Sequence, residues 1–260
     1  MAVEYKKQHF NSLGEFYKFV SETKENLVFM GKPLSSKTRD KKFTGTKSFE
    51  EAVELMKNGW DEGAKNLEGK LQAKLKTLKP KTTQRSKYDV VGGNCSVPRY
   101  LQGVPTNMVN KKPVVQKTKV VTINKSIAYN AFVTTEQIIE ESIKALIIVY
   151  EIEAAGTRVN LNIIVESREG NEIAAFTVRI KSANERLNVS KLAFPLVHPS
   201  MLRRLSFRWL EVSPLVTNPS FNYGYGSAVD EKESRQYLPK GEILLPAFIP
   251  DVDKVIKQFA

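Results

Sequence analysis

Residues 117–167, reading KTKVVTINKSIAYNAFVTTEQIIEESIKALIIVYEIEAAGTRVNLNIIVES, restrict what this chain can fold into more than any other stretch. Lys119 to Ile123 is a short run rich in β-branched residues, which favour strands. After a loop, Ile138, Ile139, Ile143, Leu146, Ile147, Tyr150 and Ile152 recur at close to helical spacing and predict a long helix. Gly156 supplies the residue that a left-handed C-terminal cap needs. Val159 to Val165 then alternates apolar residues with Asn, as a strand with one better-buried face does. Strand, crossover helix and strand of these lengths make a right-handed βαβ unit on a parallel sheet. The class is α/β.

Around this unit the chain changes texture. Ser12 and Glu15 have capping-box spacing for a short helix with Leu13, Phe16, Tyr17 and Val20 on its apolar side. Residues 30–42 are polar, contain Gly31 and Pro33, and read as a loop. Ser48 with Glu51 repeats the box ahead of a helix whose Phe49, Val53 and Met56 share a face. A second helix runs from Asp61 to about Leu78, and its Leu67, Leu71, Leu75 and Leu78 suit either a core face or a partner-helix seam. Pro80 ends it. Residues 1–80 therefore read as an N-terminal helical region with a basic second helix, residues 81–116 as a basic linker and Gly/Pro-rich connection, and residues 117–260 as the α/β domain.

Within that connection, Gly92, Gly93, Gly103 and two prolines predict an irregular, packed path. No Gly-Lys-Ser or Gly-Lys-Thr follows, so it is not a phosphate loop. Beyond the central unit, Ile173 to Ile180 reads as a third strand. Leu187 to Leu196 and Pro199 to Val212 read as helices on either side of His198, a hinge residue rather than a ligand. Residues 241–249 read as a fourth strand, and Asp251 caps a terminal helix through Phe259.

The chain carries 40 Lys and Arg against 28 Asp and Glu. Residues 65–125 hold 14 of those cations and 2 of the acids, while residues 1–64 and 126–260 stand at +1 and −1. A field gathered like this favours a polyanion, most often nucleic acid; a solvated basic linker accounts for the same charges without a ligand. No run approaches the roughly 18 to 20 apolar residues of a membrane span, and the first residues hold no apolar signal core. The expectation is a cytoplasmic protein with no membrane contact. Cys95 is the only cysteine, which excludes an internal disulfide and a cysteine-built zinc site. With only His9 and His198 as imidazoles, it reads as a buried or neutral thiol, and no catalytic metal centre is expected.

Open parallel sheets bind ligands at the carboxyl ends of their strands, and the first central strand ends in Thr122-Ile123-Asn124-Lys125-Ser126-Ile127-Ala128. These residues resemble the von Willebrand factor A domain, whose first strand ends in an Asp-x-Ser-x-Ser metal motif. Asn124 stands in place of the aspartate, Ser126 matches the first serine, Ala128 replaces the second, and Lys125 adds a positive charge. Hard divalent cations want several oxygen ligands with negative charge, so the resemblance implies the sheet and not the metal.

Four blocks spread over about residues 43–212 carry a broader resemblance: FTGTKSFEEAVELMKNGWDEGAKNL, YDVVGGNCSVPRYLQGVPTNMV, the strand and helix ending EIEAAGTRVNLNIIV, and KLAFPLVHPSMLRRLSFRWLE. They resemble a bacteriophage-encoded family, a domain of unknown function with a degenerate von Willebrand A-like core. The resemblance implies a phage origin, the host cytoplasm, and a Rossmann-like, von Willebrand A-like, mostly parallel sheet flanked by helices, here with an N-terminal helical extension. It brings no activity, so it assigns no functional residue.

Function is therefore read from the residues. Lys70, Lys74, Lys76, Lys79, Lys81, Arg85, Lys87, Arg99, Lys111, Lys112, Lys117, Lys119 and Lys125 would hold phosphates. Phe221, Tyr223 and Tyr225 alternate in a glycine-rich segment and would stack on unpaired bases from one side of an extended strand, unless they pack onto the sheet. Arg203, Arg204 and Arg208 form a second basic spot or an ordinary solvated helix face, with Arg204, Arg208 and Glu211 pointing outward. Glu140 with Glu141, and Asp251 with Asp253, sit on a helix exterior and at a helix start, where capping and the helix dipole explain them. No catalytic residue, metal or cofactor is assigned. The expectation is a non-enzymatic binder of single-stranded DNA or RNA serving phage replication, transcription or genome handling; the alternative is a metal-free adaptor that docks a host or phage protein.

Overall fold

The first element is a strand that a polar composition conceals. The structure, a computed structural model describing residues 3–31, 33–75, 87–110 and 119–258, places β1 at Glu4–Phe10, ahead of the helices expected there. Phe10 is buried edge-on against Phe16, with ring centroids 5.2 Å apart, and Gln8 accepts a hydrogen bond from the Trp209 indole at 2.9 Å. Burying one such aromatic contributes about 2 kcal/mol, which outweighs the weak strand propensity of the lysines beside it.

Next comes α1 (Leu13–Glu22), where the Ser12 hydroxyl accepts from the Glu15 N–H at 3.1 Å as its capping spacing predicts. Two helical turns, α2 (Ser35–Thr38) and α3 (Lys41–Thr44), stand where a loop was expected. They are followed by α4 (Phe49–Asn58), capped by Ser48, and α5 (Asp61–Leu75). Leu67 and Leu71 are buried, so the leucine stripe is a core face; Leu78 lies outside the described residues.

The chain divides into two compact units, one of them Leu78–Lys119. Within it β2 (Lys87–Asp89), β3 (Asn94–Cys95) and β4 (Met108–Asn110) pair antiparallel in the order β2-β4-β3, with α6 (Val97–Leu101) between β3 and β4. The Gly/Pro-rich stretch is thus a small sheet rather than an irregular connection, and Cys95 is exposed rather than buried.

The other unit joins Met1–Thr77 to Val120–Ala260. The N-terminal helices belong to the same compact unit as the α/β fold and do not stand apart as an extension. Here β5 (Val120–Ser126), α7 (Thr135–Ala154) and β6 (Arg158–Glu169) form the predicted unit, with β5 and β6 parallel. Thr134 and Gln137 close a full capping box at the start of α7, and Gly156, at φ 92°, follows its end. A hairpin then leads to β7 (Glu172–Lys181), antiparallel to β6 and parallel to β1.

After β7 come α8 (Val189–Val197), a π-helical turn over Met201–Ser206 continuous with α9 (Phe207–Val212), β8 (Ser227–Ala228), α10 (Glu231–Gln236), β9 (Ile243–Leu245) and α11 (Val252–Ile256). Only three residues of the expected fourth strand pair, parallel to β5. The Asp251 carboxylate accepts from the Lys254 N–H at 2.9 Å and caps α11 as expected. The sheet order is β1-β7-β6-β5-β9, with β8 on β6, a mostly parallel sheet flanked by helices.

Side chains alternate across a strand, and the two faces differ in chemistry. One carries Leu161, Ile163, Val165 and Phe176 into the core; Phe176 stacks on Phe16 at 5.0 Å and meets Trp209 at 4.8 Å. The other carries Tyr5, Asn124, Asn162 and Glu166, tied to the segment around α10: the Tyr5 ring stacks on Tyr237 at 4.1 Å, and Glu166 accepts hydrogen bonds from Tyr5 and Ser234. No described helix is long and apolar enough to cross a membrane.

Candidate functional site

The basic residues singled out in the sequence have divergent fates. Lys76, Lys79, Lys81, Arg85, Lys111, Lys112 and Lys117 lie outside the described residues, and Lys87 begins β2. Lys70 and Lys74 are exposed one turn apart on α5, in company with exposed Lys65, and Lys119 is exposed in the smaller unit. Arg99 is occupied within that unit. It donates to the Thr106 carbonyl at 3.0 Å and hydroxyl at 3.1 Å, and its guanidinium lies 4.3 Å over the Tyr88 ring.

Lys125 cannot grip a phosphate, because it is fully buried. Its Nζ donates to the carbonyls of Pro246 at 2.8 Å and Ala247 at 2.7 Å. Desolvation pulls its pKa down to about 7, only partly opposed by the Glu141 carboxylate. Glu141, expected on a helix exterior, is buried and accepts from Lys144 Nζ and the Ile249 N–H, each at 2.7 Å. Asn124, where the metal motif aligns, is also buried. Its Nδ2 donates to Glu242 Oε2 at 2.7 Å and its Oδ1 accepts from Asn162 Nδ2 at 3.0 Å, so the amide is committed inside the protein.

The arginines of the π-turn and α9 are the largest departure from expectation. Arg203, Arg204, Arg208 and Glu211 are all buried rather than outward. Arg204 donates from Nε to Thr46 Oγ1 at 2.7 Å, from Nη1 to Ser36 O at 2.8 Å, and from Nη2 to Arg39 O at 3.0 Å and Thr46 O at 2.8 Å. Arg203 donates to the carbonyls of Phe43, Asn130, Ala131 and Val133 at 2.8–3.3 Å. Arg204 thus holds the chain around α2 and α3, and Arg203 holds Phe43 of α3 and the loop before α7, to the π-turn. Nearby, His198 is buried, accepts from the Ser200 N–H at 3.1 Å through Nδ1, and has its pKa pulled down to about 4 by desolvation, as a neutral hinge residue.

Glu211 organises the aromatic segment. It accepts from the Ser36 N–H at 3.1 Å and the Tyr225 hydroxyl at 2.6 Å, and pairs with Arg208 at 3.5 Å. Tyr225 also accepts from the Ser35 N–H at 2.8 Å and stacks on Phe207 at 4.5 Å and Phe29 at 5.5 Å. Desolvation, reinforced by Glu211, raises its pKa. Phe221 is fully buried. The expected extended strand is instead a 3-10 turn, Pro219–Tyr223, so Phe221 and Tyr225 face the protein and only Tyr223, 84% exposed, faces solvent.

Gly224 and Gly226 flanking Tyr225 were the available signal for a tight turn. Gly226 has φ +76°, and a Cβ there would sit 2.6 Å from the Arg168 carbonyl oxygen and 2.5 Å from Ser167 Oγ, just where β8 joins the end of β6. Gly226→Ala is expected to cost about 3 kcal/mol, read as a lower urea midpoint. An unchanged midpoint would contradict this close approach.

Together these elements enclose a cavity of about 460 Å³ beyond the carboxyl end of β5 and alongside the last residues of β6. Its wall includes Arg39, Phe43, Tyr129, Arg203, Phe207 and Tyr223. Arg203 and Arg39 lie 4.6 and 5.6 Å over the Phe43 ring. Sequence reasoning pointed to this end of the sheet and to Tyr223 and Tyr225. It missed Arg39 and Phe43, whose only signal was an aromatic residue set in a basic, otherwise polar segment. Among the described residues, no group of three or more His, Cys, Asp or Glu is placed to hold a metal ion.

A mixed α/β fold with a mostly parallel sheet, and a cavity at the ends of its central strands, is the class to which these observations lead. The chain belongs to the family described as Domain of unknown function (DUF7192), which matches residues 3–257. Searches of curated proteins and of solved structures gave no match.

Proposed function

We propose that this chain is a non-enzymatic, phage-encoded protein that binds single-stranded DNA or RNA in the host cytoplasm, as an accessory factor in replication, transcription or genome handling. The observation that carries the reading is the exposure of Lys65, Lys70 and Lys74 on α5, at the start of the run of residues that holds the whole charge excess. Phosphate contacts of this kind carry no base information, so sequence preference should be weak. The parallel β5-α7-β6 unit with antiparallel β7 supports a von Willebrand A-like core, and the commitment of Asn124 to Glu242 and Asn162 supports a core that works without the metal.

Fluorescence anisotropy with a labelled single-stranded oligonucleotide should show affinity falling steeply between about 50 and 200 mM salt. In the Lys70→Glu/Lys74→Glu variant the slope of log affinity against log salt should flatten by about 1.4, the share of two phosphate contacts on a single strand. Absence of binding at low salt removes the proposal, and salt-independent binding removes the phosphate mechanism.

A second reading, an interaction adaptor for an acidic host or phage protein, is favoured by exposed Val91, Val97, Tyr100 and Leu101 in the smaller unit. Binding to a purified acidic partner that survives nuclease treatment separates it from the first.

A further inference from the structure

We infer that the cavity beyond the carboxyl end of β5 and alongside the last residues of β6 binds one nucleotide unit, with its base against the Tyr223 ring and its phosphate at Arg39. The inference stands on the cavity and not on the lysines of α5. At about 460 Å³ the space lies within the range of small-molecule sites, roughly 300–1,000 Å³, and it occupies the position where parallel α/β sheets receive ligands.

Charge selects an anion. The ionisable groups lining the cavity are Arg39, Arg203, Glu166 and the tyrosines. Glu166 alternates with Val165 and Ser167 along β6, so its carboxylate belongs to the opposite face of the sheet. There it accepts from the Tyr5 hydroxyl at 2.8 Å and from Ser234. Arg203 is engaged with four backbone carbonyls. Arg39 remains for a ligand: it is exposed, forms no ion pair among the described residues, and rests over Phe43. A guanidinium so placed suits a phosphate.

Shape selects a flat ring. Tyr223 turns most of its side chain to solvent at the rim, and apart from its two chain neighbours nothing lies within 4 Å of where a Cβ on adjoining Gly224 would be, which leaves the backbone there open to a planar group. The turn that carries Tyr223 is fixed on both sides. Asn218 accepts from the Ser220 N–H and donates to the Glu169 carbonyl, each at 3.0 Å, and Tyr225 is clamped to Glu211. A turn held in this way needs little backbone ordering when a base arrives.

The test uses the full chain with AMP, GMP, CMP and UMP in calorimetry at low salt, adenosine as the uncharged control, and a ten-residue oligothymidylate. Saturable binding of a mononucleotide to one site is expected. Tyr223→Ala should weaken it about tenfold, the share of one stacked base, and Arg39→Ala should weaken AMP while leaving adenosine unchanged; both side chains are exposed, so the fold should survive. If the oligonucleotide displaces AMP, the occupant is a nucleotide of a strand; if it does not, the occupant is a free mononucleotide. Failure of all four mononucleotides to bind, or an AMP affinity unchanged from wild type in both variants, overturns the inference. AMP binding without oligonucleotide binding keeps the cavity and removes the nucleic-acid function, whereas oligonucleotide binding indifferent to Tyr223→Ala, without AMP binding, does the reverse.

Discussion

Replacing Arg204 with methionine is expected to destabilise the protein by about 3 kcal/mol or more, read as a lower urea midpoint with an unchanged slope. Methionine fills much of the same volume, so the loss is not chiefly a cavity. It comes from the carbonyls of Ser36 and Arg39, which the guanidinium satisfies at 2.8 and 3.0 Å where Arg204 is fully buried; the Thr46 carbonyl, third of its acceptors, keeps a hydrogen bond from the Thr44 hydroxyl at 2.9 Å. Each buried acceptor left unpaired costs about 1–3 kcal/mol. Arg204→Lys should rescue little, since one ammonium cannot reproduce the planar fork that reaches all three. The same contacts place Arg39 at the cavity, so nucleotide affinity should fall alongside stability. A variant with wild-type stability would show that the segment around α2 and α3 is held by other means.

The second large effect is a dependence on pH. Lys125 is fully buried and its pKa is lowered to about 7, whereas the unfolded chain titrates near 10.4. Between those values the unfolded state binds more protons than the folded one, so stability must rise with pH. Below pH 7 the full penalty of the buried ammonium is present; by pH 10 it has lifted by about 4 kcal/mol. A neutral amine keeps two N–H donors, so both hydrogen bonds to Pro246 and Ala247 survive deprotonation. Lys125→Met removes the titration but strands those two carbonyls. The measurement is therefore the slope and not the offset: urea stability of wild type relative to Lys125→Met should climb from pH 7 to pH 10. Parallel curves would show that the amine does not titrate in this window.

Lys125 also shows where a linear reading breaks down. In sequence it is one more cation in a basic run, and its position in a strand with Val121 and Ile123 was the sign that it points into the core. The buried arginines of the π-turn and α9 failed for a related reason. Helical spacing separates an apolar stripe from a polar one, but it cannot reveal that the polar stripe faces the carbonyls of α2 and α3 from some 160 residues earlier in the chain. Tyr225 and Phe221 were legible as special residues, either stacking platforms or aromatics packed onto the sheet, and the turn of the chain at Gly224 and Gly226 decided for packing inward. β1 escaped notice because its one deeply buried side chain is Phe10 at its end.

Local physics was sufficient for the α/β class, the β5-α7-β6 unit, the caps at Ser12, Ser48 and Asp251, and the core role of Leu67 and Leu71, since each depends on residues within a few turns of one another. Folding alone settled which charges meet water. Lys70, Lys74 and Arg39 remain outside, while Lys125, Arg203, Arg204 and Arg208 are drawn in by carbonyls and carboxylates remote in the chain. A cation is kept inside only where such oxygens converge on it, and their convergence is a property of the folded chain in three dimensions.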